Sequence, residues 1–277
     1  MAFLSLVTVL VAFVFVGCAA LGFGPRPPAP KTLGEELAVE RWQECKHVSG
    51  VRFKEIRAGD LWVEYNSEEA LNEWRACHTK ALYDQINRAK ASAKRLPGAP
   101  GSAPVAAWRP GMEWAYWWKG PDGEGAYVWA VDRETELEGS ECYVLRTGNR
   151  EIFVRKSDLA LVGETLGGQL ELLWTPPRPG FVWPLAVGRA WEENVLELNL
   201  KDGTRRRHTF VGTVEGEEVV SVPAATVRAV KVVVRVKDTS APLFEAWYAP
   251  ELSQVVLLKE HLSSGVRQRE LFAYRIQ

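Results

Sequence analysis

Charge is missing from the opening of this chain. The first 25 residues contain no Asp, Glu, Lys or Arg, and Arg26 is the first charged side chain. Net charge is nearly absent from the whole, at -1 over 277 residues, with 34 Lys and Arg against 35 Asp and Glu. No basic stripe and no nucleic-acid module is present, which excludes a nucleic acid as partner. The cluster Arg205-Arg206-Arg207 reads as the solvated edge of a strand, with a phosphate or lipid-headgroup contact as the sharper alternative. Catalytic signatures are lacking too. His47, His78, His208 and His261 fall in different segments, without an HExxH pair or a nucleophile elbow. No glycine loop is arranged to cradle a phosphate. The acidic groups Glu134, Glu136, Glu138 and Glu215, Glu217, Glu218 read as solvated edges rather than as a glycosidase pair. The expectation is a protein that is not an enzyme and needs no cofactor. An enzyme whose groups converge only in three dimensions is the competing case.

What fills the uncharged opening is apolar. The stretch 2–16 has the length of an export-signal core and is short for a membrane span. It ends in Phe15-Val16-Gly17-Cys18, small residues followed by a cysteine. This resembles the lipobox of bacterial lipoproteins. The resemblance implies a signal peptide over 1–17, cleavage before Cys18, and a covalent lipid (diacylglycerol, then palmitate-type acylation) on its thiol. The other reading of the same residues is an uncleaved anchor helix running to about Phe23. Both place the body outside the inner membrane. Ala19, rather than Asp, follows the cysteine, which by the sorting rule of such lipoproteins implies the outer membrane, facing the periplasm. Residues 18–31 then form a Pro- and Gly-rich tether that holds the folded part off the lipid surface.

The remainder, 47% hydrophobic and 25% charged over the whole chain, has the composition of a globular protein with a sizeable core. A Pro-, Gly- and Ala-rich linker at 96–107 separates a small region, 32–95, from a large one, 108–277. The small region reads as helix, hairpin, helix. Thr32 starts the first helix. Val51 to Ile56 and Leu61 to Tyr65 form the hairpin, and Asn66 with Glu69 suggests a capping box for the second helix. So small a unit needs a staple. Cys45 and Cys77 supply one, since two cysteines of an exported protein on packed helices predict a disulfide. Closing a loop of about 30 residues is worth about 3–4 kcal/mol. A zinc site with His47 and His78 is the rival reading. Cys77 and His78 are adjacent, and neighbours on a helix point about 100° apart, too far to grip one ion. Trp74 stands where a c-type haem motif needs its first cysteine.

The large region is β throughout, with runs of alternation separated by turn signals such as Gly120-Pro121-Asp122-Gly123, Gly148-Asn149 and Asp202-Gly203. Ten or more antiparallel strands are expected. The fold class is therefore mainly β: an antiparallel half-barrel, barrel or sandwich preceded by a disulfide-stapled helix–hairpin–helix. Cys142 falls inside a strand and reads as a buried free thiol.

Three phrases of this region carry a likeness. They are Pro184-Leu185-Ala186-Val187-Gly188-Arg189-Ala190-Trp191, then Val222-Pro223-Ala224-Ala225-Thr226-Val227-Arg228-Ala229, and Trp247-Tyr248-Ala249-Pro250-Glu251-Leu252-Ser253-Gln254-Val255. They resemble secreted bacterial β proteins related to the half-barrel lipoprotein-carrier folds, over roughly the last hundred residues. The resemblance implies an apolar concavity, with roles in ligand carriage or assembly. Twelve tryptophans are available to line it. The candidates are Trp114, Trp117, Trp129, Trp174, Trp183, Trp191 and Trp247; Trp117 and Trp118 are neighbours on a strand, so only one faces inward. The functional expectation is a lipid-anchored envelope protein that holds an apolar ligand or docks an envelope partner. A purely structural component is the alternative.

Overall fold

A computed structural model describes residues 26–98, 102–239 and 241–276. Cys18, the signal segment and part of the tether lie outside the described residues, as do positions 99–101 of the linker.

The chain begins with helix α1 (Leu33–Cys45), capped by Thr32, whose side chain accepts from Glu35 N while Glu35 returns a bond to the Thr32 backbone. Strands β1 (Val51–Arg57) and β2 (Asp60–Tyr65) form a hairpin. Helix α2 (Glu68–Ser92) follows. Its cap is Ser67, which accepts from Ala70 N, and not Asn66. The sequence offers both residues, and the one with its hydroxyl over the first free amide takes the role. Trp42, Phe53 and Trp74 form the centre of this lobe, with ring centroids 5.5 and 5.6 Å apart. The disulfide between Cys45 and Cys77 ties α1 to α2.

Two short strands, β3 (Lys94–Arg95) and β4 (Ser102–Ala103), lead to the large region. Its strands are β5 (Glu113–Gly120), β6 (Gly123–Leu137), β7 (Ser140–Thr147), β8 (Arg150–Arg155), β9 (Leu161–Leu166) and β10 (Gln169–Arg178). After the two-residue β11 (Leu185–Ala186) come β12 (Ala190–Asn199), β13 (Arg205–Val222), β14 (Ala225–Val236) and β15 (Phe244–Ala249). A short 3-10 turn (Pro250–Leu252) precedes β16 (Gln254–Leu262) and β17 (Gly265–Arg275).

From β5 to β17, leaving out β11, which pairs with β4, consecutive strands pair antiparallel. β17 then pairs with β5 from Gln268↔Lys119 to Arg275↔Glu113. The result is a closed up-and-down barrel of twelve strands rather than an open half-barrel. Closure leaves no unpaired edge to template aggregation. The narrowest seam is β10 with β12, which pair only between Leu172↔Asn199 and Thr175↔Leu196. Outward positions carry ion pairs, among them Arg133 with Glu151 and Lys231 with Glu215 and Glu245. A bilayer-facing barrel would instead show a continuous apolar band there.

The helical lobe sits on the outside of β5, β6 and β17. Leu33, Leu82 and Ile86 pack on Ala115 and Phe272. A Cβ on Gly59 (φ +86°) would come within 3.1 Å of the Gly34 backbone, and one on Gly34 within 3.0 Å of Gly59, an approach that leaves little room for a side chain on either. The long β13–β14 hairpin reaches back to β17, where Ala224 N donates to Leu271 O at 3.1 Å. The same tip pairs in parallel with β3 at the end of α2.

Candidate functional site

Alternation along each strand sends every second side chain into the barrel. On β5 this selects Trp114 and Tyr116, both buried in the main core, and sends Ala115 and Trp117 to the helical lobe. On β6 it selects Tyr127 and Trp129. Tyr116 stacks on Tyr127 at 5.5 Å, and Trp129 stands edge-on to Tyr116 at 5.7 Å. A second aromatic group closes one end of the barrel. Trp183 lies 5.0 Å from Tyr248 and 5.8 Å from Phe181, which come from the 179–189 connection and from β15. Trp108 completes that end, 5.7 Å from Tyr143.

Between the two aromatic groups lies a cavity of about 370 Å³. That is within the size range of sites for small organic ligands. Aliphatic side chains of β7, β8 and β9 (Leu145, Ile152, Val154, Leu161) form one wall, and Ala246, Val255 and Leu258 the other. Three of the ring donors are bonded to backbone carbonyls. Tyr116 donates to Val255 O at 2.8 Å, Trp183 Nε1 to Asp158 O at 2.8 Å, and Trp108 Nε1 to Ser253 O at 2.8 Å. Buried donors are thereby satisfied, and the ring faces are left as the lining. Burial holds the Tyr116 hydroxyl well above its ordinary pKa, and Tyr127 beside it adds to the effect. The hydroxyl therefore stays a neutral donor.

Five charged or amide groups break the apolar lining: Glu164, Arg178, Gln254, Glu260 and Arg269. Arg269 donates to Tyr127 Oη at 2.7 Å and to Glu260 at 3.0 Å, with its guanidinium over the Tyr127 and Trp129 rings. Burial pulls its pKa down, but the fields of Tyr127 and Glu260 and the bond to Tyr127 outweigh that and hold it above its usual value. Glu164 is ion-paired to Arg150. Arg178 lies over the Phe210 ring at 4.6 Å, and burial lowers its pKa against the partial support of Glu197 and Glu164.

Of the tryptophans singled out by sequence, Trp129 and Trp183 line the cavity. Trp114 is fully buried beside it, its Nε1 bonded to Leu252 O at 3.0 Å. Trp117 faces outward and meets Tyr83 edge-on at 6.1 Å. Trp174 is buried away from the space. Trp191 lies across Gly212, where a Cβ would come within 2.1 Å of its ring. Trp247 lies on the outer side of β15, flanked by Lys231 and Lys259 and donating to Glu218 at 2.8 Å. Sequence reasoning passed over Trp108, Tyr116, Tyr127, Tyr248, Arg178 and Arg269. The spacing of Tyr127 and Trp129 two apart on one strand was a usable signal for a shared face. Arg178 and Arg269 gave none, because their burial depends on barrel closure. The histidines remain apart: His78 contacts Arg41 in the lobe, His261 pairs with Glu245 on the outer face, and His208 neighbours Glu197. Among the described residues no cluster of three or more His, Cys, Asp or Glu is placed to hold a metal ion.

No protein-family profile matches the chain, and no curated protein matches it. Three solved bacterial structures are similar to it. One, from Parabacteroides distasonis and described as a lipoprotein, is 13% identical, covers 62% of this chain and 99% of its own, and gives a TM-score of 0.32. The lipoprotein YmcC from Escherichia coli is 14% identical over 77% of this chain and 100% of its own, at a TM-score of 0.33. An exported protein with a YmcC-like fold from Bacteroides fragilis is 14% identical over 63% of this chain and 100% of its own, at 0.36. Likeness at this level says nothing of ligand or activity.

Proposed function

We propose that this chain is a lipid-anchored envelope protein that carries an apolar ligand inside its barrel. The observation that carries the reading is the cavity of about 370 Å³, walled by aromatic rings and aliphatic side chains, with the donors of Trp108, Tyr116 and Trp183 bonded to backbone carbonyls. A purely structural role needs no such space. A protein interior otherwise packs to crystal-like density, with few voids larger than a water. The lipobox-like end at Cys18 supports the anchor, and Ala19 after it supports the outer membrane as its address. The reading is binding rather than bond-making, since the polar groups lining the cavity, Glu164, Arg178, Gln254, Glu260 and Arg269, do not set a nucleophile beside a base.

Trp108, Trp129 and Trp183 make the cavity report on itself. Excitation of tryptophan in the presence of the neutral apolar dye N-phenyl-1-naphthylamine should give saturable energy transfer with one site per chain. Ala246 is fully buried on the cavity wall. The variant Ala246→Phe should fill part of the space and weaken dye binding at least tenfold, with the barrel still folded by circular dichroism. Linear, non-saturating transfer in the parent protein would remove the carriage reading.

A further inference from the structure

Of the charged groups lining the cavity, Arg178 is the one without an ion pair. It lines the cavity, and among the described residues it makes no hydrogen bond and no ion pair within 4 Å. Its only close partner is a ring face. Arg178 is half-buried, and a guanidinium with five donors that is partly withdrawn from water is costly unless something supplies an acceptor. None of the nearby carboxylates bonds to it. Glu164 is held by Arg150, Glu260 bonds Arg269 through one oxygen and leaves the other without a hydrogen bond, and Glu197, 3.7 Å from His208, reaches Arg178 only through its field.

Two further donors point the same way. Arg269 Nε and Gln254 Nε2 are both buried, both belong to residues lining the cavity, and neither has a partner. Gln254 is only 4% exposed, and its oxygen is occupied by Val255 N. The cavity is thus an apolar chamber in which the unspent hydrogen-bonding capacity is mostly donor.

Resting on the carriage reading above, we infer that the ligand is an acyl-type anion: a hydrocarbon body in the aromatic chamber ending in a carboxylate or phosphate held by Arg178. Guanidinium pairs with either group through two parallel bonds, stronger than neutral hydrogen bonds and more so when desolvated.

The test is displacement of N-phenyl-1-naphthylamine from the full mature chain by dodecanoate, dodecyl phosphate and dodecanol, which share one tail. At least one anion should displace the dye at a concentration tenfold or more below that of dodecanol. The better of the two anions identifies the headgroup. Arg178→Met should bring the anions to within about twofold of dodecanol measured on the same variant, with the barrel still folded by circular dichroism. Arg178→Lys keeps the charge but not the two parallel bonds and should retain only part of the preference; should the Met variant fail to fold, a preference as large in the Lys variant as in the parent overturns the assignment to Arg178. Equal displacement by all three compounds in the parent protein would overturn the inference and leave carriage standing. A preference that survives Arg178→Met would overturn the role of Arg178. Failure of dye and dodecanol to bind at all would overturn carriage itself, and the anion assignment with it.

Discussion

Arg41 and His78 form a buried pair in which only one member carries charge. Arg41 is 8% exposed, donates through Nε to His78 Nε2 at 3.1 Å and through Nη1 to Gln85 at 3.0 Å. Burial lowers its pKa to about 10, with Asp60 and Glu40 opposing, so it stays protonated at neutral pH. Burial, followed by the Arg41 charge, lowers His78 to about 4. The neutral imidazole can then accept from Arg41. Between about pH 6.5 and 4 the unfolded chain takes up a proton at this position that the folded chain refuses. Stability therefore falls as pH drops through that window and levels off below it. Over the full window the effect is about 3 kcal/mol. His78→Gln keeps an acceptor for Arg41 without titrating. Asp60, whose pKa is raised by burial, changes stability in the opposite direction and is common to both proteins. Urea midpoints at pH 7 and pH 4.5 should therefore fall more in the parent than in His78→Gln. Equal falls would mean that His78 does not gate this lobe.

At the level of elements, the first turn of α1 is completed by the barrel. Leu33 N donates to Glu113 Oε2 at 2.7 Å, and Arg275 Nη1 reaches the same oxygen at 3.3 Å. Glu113 is 4% exposed. A carboxylate at a helix N-terminus meets free amides and the positive end of the dipole. Removing it would strand the Leu33 amide and take one of three partners from Arg275, which keeps Glu36 and the Lys31 carbonyl. Glu113→Ala should lower stability by about 2–3 kcal/mol, read as a shift of the urea midpoint at unchanged slope. An unmoved midpoint would show that the lobe docks by its apolar contacts alone. Local chemistry made much of this architecture legible. Thr32, the Gly-Pro-Asp-Gly and Asp-Gly turns, and the alternating valines of β14 each lie where the sequence places an element. What local pattern could not show was closure. Whether β17 meets β5 depends on accumulated twist and stagger around the whole sheet. β10 shows the same limit. Thr175-Pro176-Pro177 interrupts its ladder, the register shifts between Leu173 and Arg178, and Arg178 turns into the cavity as a result.

For the whole molecule, the disulfide and the cavity belong to different parts. Cys45 and Cys77 bridge α1 and α2 across 32 positions, whereas every cavity-lining residue comes from the barrel or its connections. The seven tryptophans proposed from sequence divide for the same reason: strand parity fixes in or out, but only the closed barrel decides which inward rings meet space and which meet core. Trp114 and Trp129 show it, paired across β5 and β6, one packed and one lining. Chain-entropy reasoning gives the bridge about 3–4 kcal/mol. That stabilisation resides in the lobe, which touches the barrel on its outer face at Ala115 and Phe272. The double variant Cys45→Ala, Cys77→Ala should therefore unfold its helical lobe at lower urea, followed by far-ultraviolet circular dichroism. Binding of N-phenyl-1-naphthylamine should stay within about twofold of the parent, because no cavity-lining contact has been altered. A coincident loss of dye binding and helix signal would instead make lobe and barrel a single cooperative unit, with the carrier cavity depending on a cross-link that never touches it.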